Sequence, residues 1–184
     1  EYMNEKVIKK GTFLISQPLI SDKRFEKTII LITESNEEEV LGFVINKKTN
    51  IQIKELIKDL INREDCCYYG GPVQVDNLFY LHQKGRIINN SKKIYKNIFF
   101  GGDFNQIKEY IKSGLINAHE VKFFLGYCGW EKRQLENELK EKSWVVINKE
   151  EDFFKKTINW EKSLIDFDEE YKIWVNAQDD FHLN

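Results

Sequence analysis

Proline is almost missing from this 184-residue chain, with only Pro18 and Pro72 present. No proline-rich linker can therefore divide it, and no low-complexity stretch or internal repeat marks a boundary. Cysteine is scarce: Cys66, Cys67 and Cys128 make an odd count with one adjacent pair. That is no disulfide framework, since neighbouring residues of a strand point to opposite faces. Reduced, packed thiols are expected. The three histidines are scattered and match no C-x₂-C or H-E-x-x-H spacing, so no metal site and no cofactor are expected. No run approaches the ~20 apolar residues of a membrane helix. The opening stretch Glu1 to Lys10 is charged and has no apolar core of signal-peptide type. The expected location is the cytoplasm, without a membrane partner. An excess of one charge is lacking too: 28 Lys and Arg face 30 Asp and Glu, for a net charge of −2. A surface built wholly for nucleic acid is excluded, while a local basic patch is not.

What the chain has is apolar and aromatic bulk. Hydrophobic residues make up 41% and aromatics 14%, enough for one self-sufficient core. A domain of this length buries about 70% of the surface its unfolded chain exposes. A single domain over residues 1–184 is expected, with residues 1–10 irregular and 169–184 an irregular tail.

The first half reads as strands. Gly11 to Ser16 is a short apolar run stopping before Pro18. Lys27 to Thr33 is continuously apolar, as in a strand buried on both faces, and Val40 to Asn46 is its expected hairpin partner. Gly42 inside that partner predicts a bulge or a close backbone approach. Ile53, Leu56, Ile57, Leu60 and Ile61 fall at helical spacing and predict an amphipathic helix. Strands are expected again at Cys66 to Tyr69, Leu78 to His82, Arg86 to Ile88 and Ile94 to Phe100. In the second half, Asp103 with Gln106 predicts a helix start, and Gly114 a helix end. Val121 to Tyr127 reads as a buried strand, Glu131 to Lys142 as a charged helix, Trp144 to Ile147 as a last strand, and Trp160 to Phe167 as a short helix. This order gives α+β.

Two glycine pairs, Gly70-Gly71 and Gly101-Gly102, follow expected strands. Neither fits a nucleotide-binding fingerprint, and Asp103 would repel a phosphate from the second. Gly126-Tyr127-Cys128-Gly129-Trp130 reads as a strand-to-helix turn, without G-x-S-x-G spacing. Cys128 as a nucleophile would need His82 or His119 as its base. Lys92, Lys93 and Lys96 form a small basic cluster, as do Lys47 and Lys48, too few for strong duplex binding. His182 reads as a solvated residue near the end of the chain.

Several segments together resemble the YqgE/AlgH family of bacterial proteins. They are Gly11-Thr12-Phe13-Leu14-Ile15-Ser16-Gln17-Pro18, Gly42-Phe43-Val44-Ile45-Asn46-Lys47, Tyr69-Gly70-Gly71-Pro72-Val73, Leu81-His82, and Gly126-Tyr127-Cys128-Gly129-Trp130 with Gln134-Leu135-Glu136 and Glu138. Gly101-Gly102-Asp103 and the ending Asn176-Ala177 to Leu183-Asn184 are similar to its Bacteroidetes-type branch. The chain departs where Ser35 replaces a His, Glu39 a Gly and Lys48 a Pro. The resemblance implies a bent, partly barrel-like, mostly antiparallel sheet flanked by three to four helices. It also implies a label of transcriptional regulator without an established biochemical function.

No catalytic residue is assigned. The expected function is a non-enzymatic binding or regulatory module acting through a small ligand or a protein partner. Its groove is expected at Asn46, Gly70, Gly71, His82, Gly101, Gly102, Tyr127 and Trp130. A thiol-dependent hydrolase or transferase using Cys128, and direct DNA binding through the Lys92 to Lys96 region, stand as alternatives.

Overall fold

The computed structural model describes residues 7–148 and 152–181. Its ten strands are β1 (Phe13–Ser16), β2 (Ile29–Ser35), β3 (Glu39–Val44), β4 (Lys48–Gln52), β5 (Cys66–Tyr69), β6 (Val73–His82), β7 (Lys92–Tyr95), β8 (Ile98–Phe100), β9 (Val121–Glu131) and β10 (Trp144–Ile147). Its helices are α1 (Ile53–Leu56), α2 (Phe104–Lys112), α3 (Lys132–Lys140), α4 (Trp160–Phe167) and α5 (Tyr171–Phe181), with a 3-10 turn at Lys23–Phe25. The fold is α+β in a single domain. One open sheet runs β10-β1-β2-β3-β9-β6-β8-β7, and β5 adds β4 beside β9. Among the described strands, only the β5–β9 pair is parallel.

Alternation of side chains assigns the layers. Phe13, Ile15, Ile29, Leu31, Phe43 and Val145 point to the concave face, where Phe153, Phe154, Trp160, Leu164 and Val175 of the C-terminal segment cover them. Leu14, Ile30, Ile32, Val44, Trp144 and Val146 point outward under Leu135 of α3. The run Lys27 to Thr33 is therefore apolar because β2 is buried on both sides.

The long strand β9 joins the two halves of the sheet. Its first part pairs with β5 and β6, and its last part with β3. Val121 and Phe123 face one outer layer with Ile107 of α2. Beyond Gly126 the parity switches, and Cys128 and Trp130 face the other outer layer. Gly126 sits at φ +72, where only glycine is free of strain, and its extra residue flips the alternation as a bulge does. The expected strand-to-helix turn at residues 126–130 is thus a kink inside one strand, and the helix begins later, at Lys132.

Other expectations need correction. The helix over Ile53 to Ile61 is a single turn: Ile57 N–H closes it on Ile53 O, Ile57 itself turns to extended backbone at φ −122 and ψ 95, and the chain returns so that Ile53 N–H donates to Asp65 O and Lys54 N–H to Arg63 O. Ile57 and Leu60 are still buried, but Ile61 lies in solvent. Arg86 to Ile88 is a turn rather than a strand. Ile94 to Phe100 is the β7–β8 hairpin, which turns at Lys96 with φ +44. The tail expected to be irregular carries α5. Asp168 breaks the chain after α4 and restarts it, its Oδ1 accepting from Glu170 N–H. Tyr171 and Val175, one turn apart, then hold α5 to the concave core. Residues 7–10 carry no regular element, while residues 1–6 and His182 lie outside the described residues.

Candidate functional site

The residues expected to share a groove lie in separate places, and most are absorbed by packing. Asn46 closes a gap in the strand ladder: its Oδ1 accepts from Ile29 N–H at 2.8 Å and its Nδ2 donates to Lys27 O at 2.9 Å. Gly70 and Gly71 cross β9 so closely that a Cβ on either would overlap the backbone of Gly126 or Tyr127. Cys128 lies buried beneath this crossing, its thiol directed at Gly70 O at 3.4 Å. Burial pushes that thiol up to about 12. Trp130 is buried on the outer face, its indole N–H donating to Glu138 Oε2.

His82 sits in a second knot, with Gly101 and Gly102. Lys84 N–H donates to Nδ1 at 3.1 Å, so the ring proton is on Nε2, which donates to Gly101 O at 2.8 Å. Ser91 Oγ is 3.1 Å from the same Nε2 and donates to Ile88 O. A nitrogen that already carries a proton, donated to Gly101 O, cannot accept another from the Ser91 hydroxyl, so this Ser–His contact is no nucleophile–base pair. Burial lowers the His82 pKa, which keeps the ring neutral. Tyr80 OH ties Gly102 O at 2.6 Å and is itself pushed up to about 12, by burial first. Asp103 caps α2 as expected, accepting from Gln106 N–H, whereas the Gln106 side chain turns to Asn89 N–H.

Cys128 and His82 lie far apart. His82 pairs with Val121 at the start of β9 and Cys128 is seven residues on. At ~3.3 Å per residue that is on the order of 20 Å. His119 precedes the same end of the strand and is exposed. Among the described residues, no group of three or more His, Cys, Asp and Glu could hold a metal ion.

A concave feature lined by four aromatic side chains lies on the inner face, where the β7–β8 hairpin folds toward β2 and β3. It is a cavity of about 150 Å³. Phe43, Phe79, Phe100 and Tyr127 form its floor, and Leu41 and Ile94 its apolar wall. Phe43 lies 5.7 Å from Phe79 and 5.9 Å from Phe100, ring centre to ring centre, and Phe79 meets Tyr127 edge-on at 5.6 Å. Lys10, Lys92 and Lys93 stand at the rim against one carboxylate, Glu34, which pairs loosely with Lys10 at 3.9 Å. Tyr127 is the single expected groove residue found here. The sequence gives little sign of the rest, because the rings come from four strands and only the register brings them together.

Known proteins resemble this chain in sequence and in fold. The AlgH-like family profile matches residues 13–172. A UPF0301 protein of Cytophaga hutchinsonii is 36% identical over 182 residues, covering 97% of this chain and all of the relative. One from Parabacteroides distasonis is 35% identical over 186 residues, covering 95% of this chain and 91% of its own. Among solved structures, the solution structure of AlgH from Pseudomonas aeruginosa superposes with a TM-score of 0.70 at 25% identity, covering 89% of this chain and 90% of that one. Protein DIP2367 from Corynebacterium diphtheriae, at 18% identity and a TM-score of 0.71 over 89% of both chains, shares the fold.

Proposed function

The chain belongs to the AlgH-like family, and from that premise we propose that it is a non-enzymatic, ligand-responsive binding module. Its ligand is a small aromatic carboxylate, held in the cavity floored by Phe43, Phe79, Phe100 and Tyr127. The observation that carries this reading is the pairing of an aromatic floor with a rim of three lysines against one glutamate. An apolar cavity of about 150 Å³ admits one benzene-sized ring. A ring buried against aromatic edges gains dispersion contact, and a carboxylate at the mouth meets cationic side chains that stay hydrated until it arrives.

The regulatory role belongs to this proposal as well. Net charge −2 and mixed-charge helices favour a signal passed to a protein partner over direct contact with DNA. Three free thiols suit a reducing cytoplasm, and no described helix is long and apolar enough to cross a membrane.

The test is a thermal-shift comparison of phenylacetate with the neutral phenylacetamide. Phenylacetate at ~100 times its Kd would stabilise the fold by about 2.7 kcal/mol, and the amide by clearly less. Leu41→Trp, which fills the cavity, abolishes the shift. Equal stabilisation by the amide would remove the role of the lysine rim, and no shift with either would remove the reading.

A further inference from the structure

A second cleft lies where the turn before β2, the residue Lys47 beyond β3 and the end of β5 meet. It shares no residue with the aromatic cavity and encloses about 430 Å³. Lys23, Arg24, Lys27, Lys47, Glu26, Thr28 and Tyr69 line it, four cations against one carboxylate. Arg24 is already engaged, gripping Asp22 through Nε at 3.0 Å and Nη2 at 2.7 Å. The Lys27 ammonium lies 5.8 Å from the ring centre of Trp160. Lys47 is different. It is half-buried, and its ammonium meets no hydrogen-bond or ion-pair partner among the described residues.

Burial, and then the charge of Lys27, hold the Lys47 ammonium below its ordinary value, while Glu26 opposes them. The positive charge there is under-compensated. The backbone around it is also fixed. Asn46 bridges Lys27 O and Ile29 N–H, and Tyr69 N–H donates to Lys47 O at 2.8 Å. Lys27 sits at φ +52, a strained position that this hydrogen-bonding holds. These bonds hold the backbone of Lys27, Lys47 and Tyr69 together, which brings their side chains to one cleft.

We infer that this cleft binds the phosphate group of a small phosphate monoester, with Lys47 and Lys23 supplying the principal cationic contacts and Tyr69 the wall beside the organic part. With Asp22 held on Arg24 and Glu26 in the lining, two of the four cations are left in excess, which a dianion matches better than a carboxylate does, and ammonium–phosphate hydrogen bonds are of the strong, charge-assisted kind. The volume exceeds that of a bare phosphate and leaves space for the ester group.

The experiment titrates the intact chain with ethyl phosphate, which has no ring for the aromatic cavity, and with inorganic phosphate, a short single-stranded DNA and an acidic peptide, followed by NMR of backbone amides. Ethyl phosphate should saturate, with shifts at Lys23, Lys27, Lys47 and Tyr69. Lys47→Gln should weaken it about tenfold, the loss of one charge-assisted hydrogen bond, with an unchanged melting temperature. Lys140→Gln, an exposed lysine on α3 that lines neither cleft, should leave it as it was. Unsaturable binding, or affinity indifferent to Lys47→Gln, would overturn the assignment. So would tighter binding of the DNA or the peptide at the same residues. Because the probes and variants differ from those of the aromatic cavity, failure here and failure there are separate results.

Discussion

Trp130 and Trp144 donate their indole N–H groups to one and the same oxygen, Oε2 of Glu138, at 3.1 and 2.8 Å. The two rings stand edge to face, 6.0 Å between centres, with Phe25 against both. One carboxylate on α3 thus ties β9 to β10 across the outer face. Removing it strands two indole donors in an apolar layer. Glu138→Ala should cost about 2–4 kcal/mol in urea unfolding, and Glu138→Gln, which keeps an acceptor, clearly less. Equal losses would show that the acceptor is immaterial.

The glycines expected to line a groove divide by what surrounds them. A Cβ on Gly70 would collide with Gly126 O, which is backbone and cannot yield. At Gly101 nothing lies within 4 Å, and only its φ of +63 resists a side chain. Gly70→Ala should therefore cost more than about 3 kcal/mol, against about 1–2 kcal/mol for Gly101→Ala. Similar costs, measured by denaturant unfolding, would contradict the packing assigned to the crossing.

His82 makes stability depend on pH. Its folded pKa lies below the unfolded value of about 6.5, mainly because burial disfavours the imidazolium. The unfolded chain consequently binds the extra proton first. The contribution of His82 is fully present above about pH 6.5 and is lost as pH falls through the folded value, at no more than about 1.4 kcal/mol per pH unit. His82→Gln should flatten this part of the profile, whatever its effect on absolute stability. A slope unchanged by the substitution would assign it to other groups.

The thiols should react in order of access. Cys66 is partly exposed, whereas Cys67 and Cys128 are buried, and burial raises the pKa of both. An aromatic disulfide reagent should label Cys66 in the native protein and Cys128 only on unfolding. Fast native labelling of Cys128 would restore a thiol nucleophile to consideration.

The parts of the fold legible in the sequence are those that local rules decide. Asp103 caps its helix because a short acceptor before an apolar stripe satisfies a first-turn amide. The run Lys27 to Thr33 announces a doubly buried strand by having no polar face. Gly126 was not legible: a glycine at positive φ serves a turn and a strand kink equally, and only the pairing of Cys128 with Gly42 decides for the kink. The Ile53 to Ile61 periodicity marks three buried positions, Ile53, Ile57 and Leu60, yet only one turn of helix, because the backbone becomes extended at Ile57 and leaves Leu56 and Ile61 exposed. The candidate site was least legible of all. Phe43, Phe79, Phe100 and Tyr127 have no motif in common, and register alone assembles them.

The central claim is that the aromatic cavity is where this protein meets its ligand. NMR of the aromatic ring protons during titration with phenylacetate tests it most directly. Binding should move the rings of Phe43, Phe79, Phe100 and Tyr127 together on one saturation curve, and Leu41→Trp should abolish the change. Rings that stay still, or move while Phe13 and Trp160 elsewhere in the core shift just as much, would contradict it.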